Sequence, residues 1–422
     1  MKKILFIHPF FPYPLESGGH QALFNGILAV KDDYDIYLAY EAWEGEAYFK
    51  AEKEFMERIP NAHLFPLIHR KVKLSIKQKV VLKIKRRLQW LFPRKNIAQT
   101  NNDLESTCDY WIYSVLPQKK EWTDHIHNLH KIYHFDLIQV EMPRFVSHIL
   151  SLPKDVKTIY IHHELGFVRR ELERKELPDS IYVNACKMFA DVNEISLLNM
   201  YDTVVTLSPI DARKLEVAGV NARIIPSYAN VDNEDVLEFC PVERKRLTFV
   251  GPERHPLNVI GIQWFLDKCW PLIKKMDSDY SLDIIGIWSS EKIKDFSQKY
   301  EDVHFLGFVE NLKESINNSI MIIPITIGSG IRMKILEAAS SGIPFVSTKV
   351  GAEGIPVVNG THCFITDDAS TFVEDIVKLQ NIELQKKFVM NSYKMIKDNY
   401  SMDALRSNRI KIYNQTLIDA NN

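Results

Sequence analysis

The chain has no paired cysteines. Its five, Cys108, Cys186, Cys240, Cys269 and Cys363, stand singly with no Cys-x-x-Cys spacing. That excludes a zinc ribbon or a disulfide scaffold and fits reduced thiols in a cytosolic setting. No uninterrupted apolar stretch of about 20 residues occurs, so no membrane-spanning helix is predicted. Net charge is nearly absent: 53 Lys and Arg stand against 54 Asp and Glu, a formal -1. Bulk attraction to nucleic acid is thereby removed, although a local basic patch is still allowed. There is no Gly-x-x-x-x-Gly-Lys-Ser/Thr loop and no Gly-x-Gly-x-x-Gly on the first strand, so neither a P-loop nor a dinucleotide fingerprint is present.

What is there is the composition of a folded protein, 46% hydrophobic and 25% charged over 422 residues. Single cores stop growing before this size, so two domains are expected. The N-terminal "MKKILFIH" has a basic tip and an apolar run, but Pro9, Pro12 and Pro14 follow at once; it reads as a first strand rather than a signal peptide. Short continuous apolar runs predict strands at 3–8, 34–40, 135–141, 156–162, 201–208 and 222–227, separated by helical stretches. A second series falls at 247–251, 281–286, 303–307, 319–325, 343–348 and 361–366. The linker is placed near 234–246. Two such series predict an α/β protein with two parallel-sheet, Rossmann-like domains, 1–235 and 245–398, facing across a cleft. The tail from 399 to 422 is helical by pattern.

Between about 66 and 130 the alternation breaks. The stretch 70–95 has eleven basic residues and no acidic one. Ile76, Val80, Ile84, Leu88 and Leu91 fall on one helical face. An anionic membrane surface suits that pattern, and so does packing of the apolar stripe on the first domain. The first would make the protein cytoplasmic and peripheral on the inner face of the plasma membrane. Nucleic acid is not expected, because no reading module accompanies the charges.

In α/β sheets ligands bind beyond the carboxyl ends of the strands, and four loops there carry chemistry. Gly18-Gly19 precede a helix and serve either a tight turn or close approach of an anion to free N–H groups. His162, His163 and Glu164 follow a strand; their spacing is not that of a helix-borne zinc pair, but an imidazole there could bond a sugar hydroxyl or a phosphate oxygen. Gly251 ends a strand, with Arg254 and His255 close behind, as anion contacts or as solvated charges. The fourth loop is "PITIGSGIRMKILEAASSGIPFVST". Lys334 and Glu337 lie three apart on one helical face near its start, where a lysine opposes the helix dipole. Either they pair with each other, or an anion sits between lysine and dipole while Glu337 accepts hydrogen bonds from a diol. A phosphate and a diol together describe a nucleotide-sugar. An aspartate pair at 367–368 reads as a helix cap rather than a metal site.

The segments "FVGPERHPLNVIGIQWFLDKCWPLI", "DIIG", "VHFLGFVENL" and "PITIGSGIRMKILEAASSGIPFVSTKVGAEGI" occur in the order seen in retaining glycosyltransferases of family 4, and the chain resembles them from about Leu247 to Tyr400. The resemblance implies the GT-B fold. It also implies a nucleotide diphosphate-sugar donor held mainly by the C-terminal domain, an acceptor-side N-terminal domain, and final helices that cross back to it. It places the family's second glutamate on Glu337, the glycine loop on Gly18-Gly19 and the active-site histidine on His162, with His163 as the other choice. Gly330 and Lys334 match a subgroup pattern, Gly-Ser-Gly-x-Arg-x-Lys-x-x-Glu. Two positions depart from the family. Ser329 stands where many members have a glutamate eight residues before the second one, and Leu257 stands where a lysine is usual.

The expectation is a metal-independent, retaining hexosyl- or related glycosyltransferase with no cofactor. A nucleotide-sugar is its donor and a glycan or lipid-linked molecule its acceptor, in bacterial surface polysaccharide or glycoconjugate synthesis. Its catalytic residues would be His162, His163 and Glu337. Gly18, Gly19, Gly251, Arg254, Gly328, Ser329, Gly330, Lys334 and Glu337 would hold the donor. A nucleotide-sugar epimerase of the same fold and a non-catalytic nucleotide-sugar-binding protein are the alternatives.

Overall fold

The unbroken apolar runs become central strands. In the computed structural model, which describes residues 1–15, 18–69, 106–175, 177–225, 237–242, 244–327 and 332–418, β1 is Lys3–His8, and its Ile4, Leu5, Phe6 and Ile7 are fully buried. A strand covered on both faces has no wet face to alternate with. Each such side chain contributes about 1.5–3 kcal/mol by leaving water. The same sheet holds β2 (Asp35–Trp43), β3 (Ala62–His69), β4 (Leu137–Glu141), β5 (Lys157–His162), β6 (Thr203–Thr206) and β7 (Ala222–Ile224). Their order is β3-β2-β1-β4-β5-β6-β7, and the pairs from β3 to β6 are parallel.

The order reverses between β1 and β4. At such a switch point the loops leave in opposite directions and open a crevice at the strands' carboxyl ends, where His8 and Glu141 close their strands.

β3 was not among the expected strands. It forms the sheet edge, most of its residues are only partly buried, and Pro66 lies within it. Proline is tolerated in an edge strand because no ladder partner is lost there. The strand therefore runs to His69, past the point where the sequence pattern placed the start of an insertion. The basic stretch 70–95 lies outside the described residues.

The second sheet contains β8 (Arg246–Val250), β9 (Ser281–Ile285), β10 (Val303–Gly307), β11 (Ile320–Ile323), β12 (Phe345–Ser347) and β13 (Phe364–Ile365). All pairs are parallel, in the order β10-β9-β8-β11-β12-β13, and the switch point lies between β8 and β11. This unit has its own core, with Phe249, Phe265, Ile322, Phe345 and Phe372 fully buried. The chain thus has two Rossmann-like parallel sheets, the architecture of the GT-B fold.

One compact unit comprises Met1–Thr206, Ala212–Arg223 and Ile410–Asn422; the other comprises Leu207–Asp211 and Ile224–Arg409. The helix Ile382–Tyr400 stops at Ser401, and a new one, Met402–Ile418, begins at once. The end of this last helix belongs to the first unit. Tyr413 Oη donates to Gln139 Oε1 at 2.5 Å, and Thr416 and Thr203 hydroxyls lie 2.7 Å apart. The Tyr34 and Tyr413 rings meet edge to face at 5.5 Å.

Candidate functional site

In the second unit the switch point is built on two close approaches. β8 runs into Gly251, where a Cβ would lie 2.6 Å from the Asn258 side chain. The following helix, Pro256–Trp264, opens with proline in its first turn, the one place where the missing N–H costs nothing. Its Gly261 brings it against the exit of β11: a Cβ there would sit 2.6 Å from the Pro324 carbonyl. Glycine at both positions lets the helix lie close on the two strand ends and buries Asn258 between them. Asn258 Nδ2 donates to the Pro252 carbonyl at 2.9 Å, which leaves its Oδ1 to accept from Lys334 Nζ at 3.0 Å.

Lys334 comes from the first turn of the helix Met333–Ser341, which Gly342 ends in the left-handed conformation at φ 71°. Its ammonium lies 5.6 Å from the Phe249 ring centre. Burial pushes the lysine pKa down; the nearby Glu337 charge opposes this, and Arg332 adds to it. Burial likewise pushes Glu337 up against the pull of Lys334. Both side chains nonetheless keep part of their surface open. No ion pair joins them, and among the described residues no hydrogen bond or ion pair reaches the Glu337 carboxylate. Of the two uses the spacing allows, the contact pair within the helix is absent. Lys334 is held instead by a neutral amide.

Gly251 thus acts through its neighbour, by making room for Asn258. Gly251→Ala is expected to lower stability by about 1–3 kcal/mol, the usual cost of overpacking, and to weaken any ligand held by Lys334. Thermal unfolding and titration calorimetry check the two effects. Arg254 is exposed on the same turn, and His255 stands at the N-cap position of the helix without a side-chain capping bond. Gly328, Ser329 and Gly330 lie outside the described residues. Asp368 does cap a helix, accepting from Thr371 N at 2.8 Å, and Asp367 Oδ1 accepts from Lys349 N at 2.9 Å. Among the described residues there is no group of three or more His, Cys, Asp or Glu arranged to hold a metal ion.

In the first unit Gly18 and Gly19 begin the helix Gly18–Leu28, which has no acidic residue in its first turn. Its free N–H groups carry positive partial charge. The two histidines, adjacent in sequence, part company. His162 is 2% exposed and its Nε2 bonds Glu194 Oε1 at 2.9 Å. Glu194, on the helix Ile181–Leu198, also accepts from Gly166 N at 3.0 Å and pairs with the buried Arg170. His163 keeps some exposure, and its Nε2 bonds Glu141 Oε2 at 2.6 Å. Glu164 bonds Arg169 at 3.3 Å.

The structure therefore gathers His163, Glu141 and His8 in the first unit, and in the second it bonds Lys334 to Asn258 with Glu337 near but unpaired. His162 is tied into the helix layer instead. Asn258, Glu141 and His8 were not singled out from sequence. For two of them a signal existed: the three neighbouring strands β1, β4 and β5 end in His8, Glu141 and His162, titratable groups closing otherwise apolar runs.

The family model described as glycosyl transferases group 1 matches residues 244–381, the strands and loops around Lys334. An uncharacterized 44.6 kDa protein in the cps region of Klebsiella pneumoniae is 24% identical over 294 residues, 67% of this chain and 75% of that protein. Among solved structures, an S. aureus TarM mutant in complex with fondaparinux, alpha-GlcNAc-glycerol and UDP is similar with a TM-score of 0.67. It is 11% identical, with 98% of this chain and 100% of that one covered. Anabaena HepE in complex with UDP gives 0.63 at 13% identity, with 98% and 100% covered. The sucrose-phosphate synthase of Thermosynechococcus elongatus gives 0.64 at 13%, with 99% and 100% covered. The chain is a GT-B fold protein whose residues 244–381 are similar to group 1 glycosyl transferases.

Proposed function

We propose that this chain transfers a sugar from a nucleotide diphosphate-sugar to a glycan or lipid-linked acceptor, with retention at the anomeric carbon and without a metal. One observation carries the reading: Lys334, partly buried at the switch point of the second sheet, is paired to a neutral amide and placed where the helix dipole opposes it. A cation kept there against burial and dipole calls for an anion, and a diphosphate supplies one. Glu337, one turn further along the helix, has acceptor capacity left for sugar hydroxyls. The match of residues 244–381 to group 1 glycosyl transferases and the UDP named for the TarM and HepE structures support the same donor class.

In this reading Lys334 stabilises the diphosphate as it leaves, helped by Arg254 on the same unit. The bond between the anomeric carbon and the phosphate oxygen breaks as the acceptor oxygen bonds from the same face, and the acceptor's proton passes to the departing phosphate oxygen. Glu337 holds donor hydroxyls. Of the two histidines, His163 is assigned to a sugar hydroxyl, since His162 is sequestered by Glu194. The retaining course and membership of family 4 rest on the resemblance of the motifs.

The test is a screen of nucleotide-sugars by calorimetry, after which the best binder is offered lipid-linked and soluble acceptors. Transfer with release of nucleoside diphosphate is expected. Donor turnover without acceptor would point to an epimerase instead. Binding without turnover in the presence of the acceptors would point to a binding protein, and no binding at all would end the proposal.

A further inference from the structure

At the switch point of the first sheet a single hydrogen-bonded chain runs from the last helix to His163. Tyr413 Oη donates to Gln139 Oε1 at 2.5 Å, Gln139 Nε2 donates to Glu141 Oε1 at 2.5 Å, and Glu141 Oε2 faces His163 Nε2 at 2.6 Å. Tyr413, Gln139 and Glu141 are fully buried. The other groups facing the carboxylate are His8 on β1, whose Nε2 is 3.7 Å from Glu141 Oε1 and so beyond hydrogen-bond reach, and Tyr160 on β5.

The direction of every bond in this chain is determined. The ionised Glu141 carboxylate can only accept, so the Gln139 amide turns its NH2 to it and leaves its carbonyl to accept from the Tyr413 hydroxyl. Burial disfavours charge on Glu141, but its hydrogen bond to His163 and its charge contacts with His163 and His8 outweigh this and hold its carboxyl below the ordinary 4.5. An ionised carboxylate only accepts, so the proton in the contact belongs to His163 Nε2. The nitrogen opposite, Nδ1, takes no hydrogen bond from any described residue.

We propose that Glu141 is a positioning residue that fixes His163 as its Nε2–H tautomer, making Nδ1 the nitrogen that meets a substrate hydroxyl, and that Gln139 and Tyr413 lock Glu141 in that role. The hydroxyl's identity as part of a sugar rests on the glycosyltransferase reading; the tautomer does not. A neutral His163 then accepts a hydrogen bond at Nδ1, and a protonated one donates there. The ring's second nitrogen is set by the bond the first one makes, and the scale known for partners that orient metal-bound histidines, about 10- to 100-fold, is taken as the expected cost of losing this one.

Two measurements test this on the full-length chain. Long-range 1H–15N spectra of histidine-labelled protein, with His163 assigned by its disappearance in His163→Asn, report the tautomer without any substrate. The wild type is expected to show Nε2–H alone. Glu141→Gln, whose amide both donates and accepts, should show a mixture or the opposite tautomer. In turnover assays kcat should fall about 10- to 100-fold while KM for the donor stays within a few-fold. Tyr413→Phe, which frees the Gln139 amide to turn over, should move both readouts the same way by less, and it carries the test alone if Glu141→Gln does not fold. A wild-type His163 carrying its proton on Nδ1, or a variant that keeps both tautomer and kcat, would overturn the proposal. If no nucleotide-sugar is turned over at all, the glycosyltransferase reading falls while the spectra still decide the tautomer.

Discussion

Lys334→Ala is expected to lower kcat/KM for the nucleotide-sugar by roughly 10²–10³-fold, the scale for removing one preorganised group from a developing charge, and to leave the protein as stable as before or more so. The two halves of this expectation have the same cause. In the folded chain the ammonium is disfavoured by burial, by Arg332 and by the helix dipole, and among the described residues it is held by the Asn258 carbonyl, the Phe249 ring and the more distant Glu337 charge. Those costs are carried by the ligand-free protein and recovered when a diphosphate binds. Alanine removes the cost and the gain together, and it has the highest helix propensity. A residue that served the fold would give the opposite pattern, loss of stability with ligand affinity intact. Calorimetric titration with the donor chosen by the screen, alongside thermal unfolding, separates the two. Unchanged donor affinity would remove the phosphate site from Lys334, whatever the melting curve showed.

The fold was legible wherever local sequence alone determines structure. Runs such as Lys3–His8 and Ile320–Ile323 are strands because an unbroken apolar segment has only a doubly covered position open to it. The Asp368 cap is likewise local. β3 escaped because an edge strand is half wet and carries Pro66, so it has neither the continuous run nor a clean alternation. In the site, the Lys334–Glu337 spacing was readable, but the choice between mutual pairing and separate use depended on Asn258, 76 positions away along the chain. The two histidines show the same limit. His162 closes β5 and is covered, while His163 follows the strand in a bend and keeps some exposure. Which one is covered depends on where the helix bearing Glu194 packs, a matter of connection and not of local pattern. The preference for His162 on resemblance and the geometry that frees His163 differ for that reason.

Glu194→Ala is expected to cost the first unit about 3–5 kcal/mol, because breaking a buried ion pair from one side leaves the other charge stranded. Arg170, 5% exposed, would keep only Asp191, while the His162 Nε2 and the Gly166 N–H would lose their acceptor. In a unit of this size that corresponds to a fall in Tm of roughly 10 °C. Glu194→Gln, which keeps an acceptor without the charge, should fall less far. Lys394→Ala, which removes an exposed pair with Asp398, should leave Tm where it was. The same cluster contributes to stability against acid. Burial opposes ionisation of Glu194, but His162 and Arg170 outweigh it and hold the carboxyl below its ordinary 4.5; Glu141 is lowered in the same direction. A carboxyl lowered on folding binds fewer protons folded than unfolded near 4.5, so its contribution is complete above that value and is lost as pH falls below it. Unfolding followed from pH 7 downward should therefore show a plateau, then a decline beginning near 4.5, with a shallower decline in Glu194→Gln because one of the lowered carboxyls is gone. A decline of equal slope in that variant would mean that the Glu194 cluster does not govern acid unfolding, and a stability that rose on acidification would contradict the direction assigned to both carboxyls.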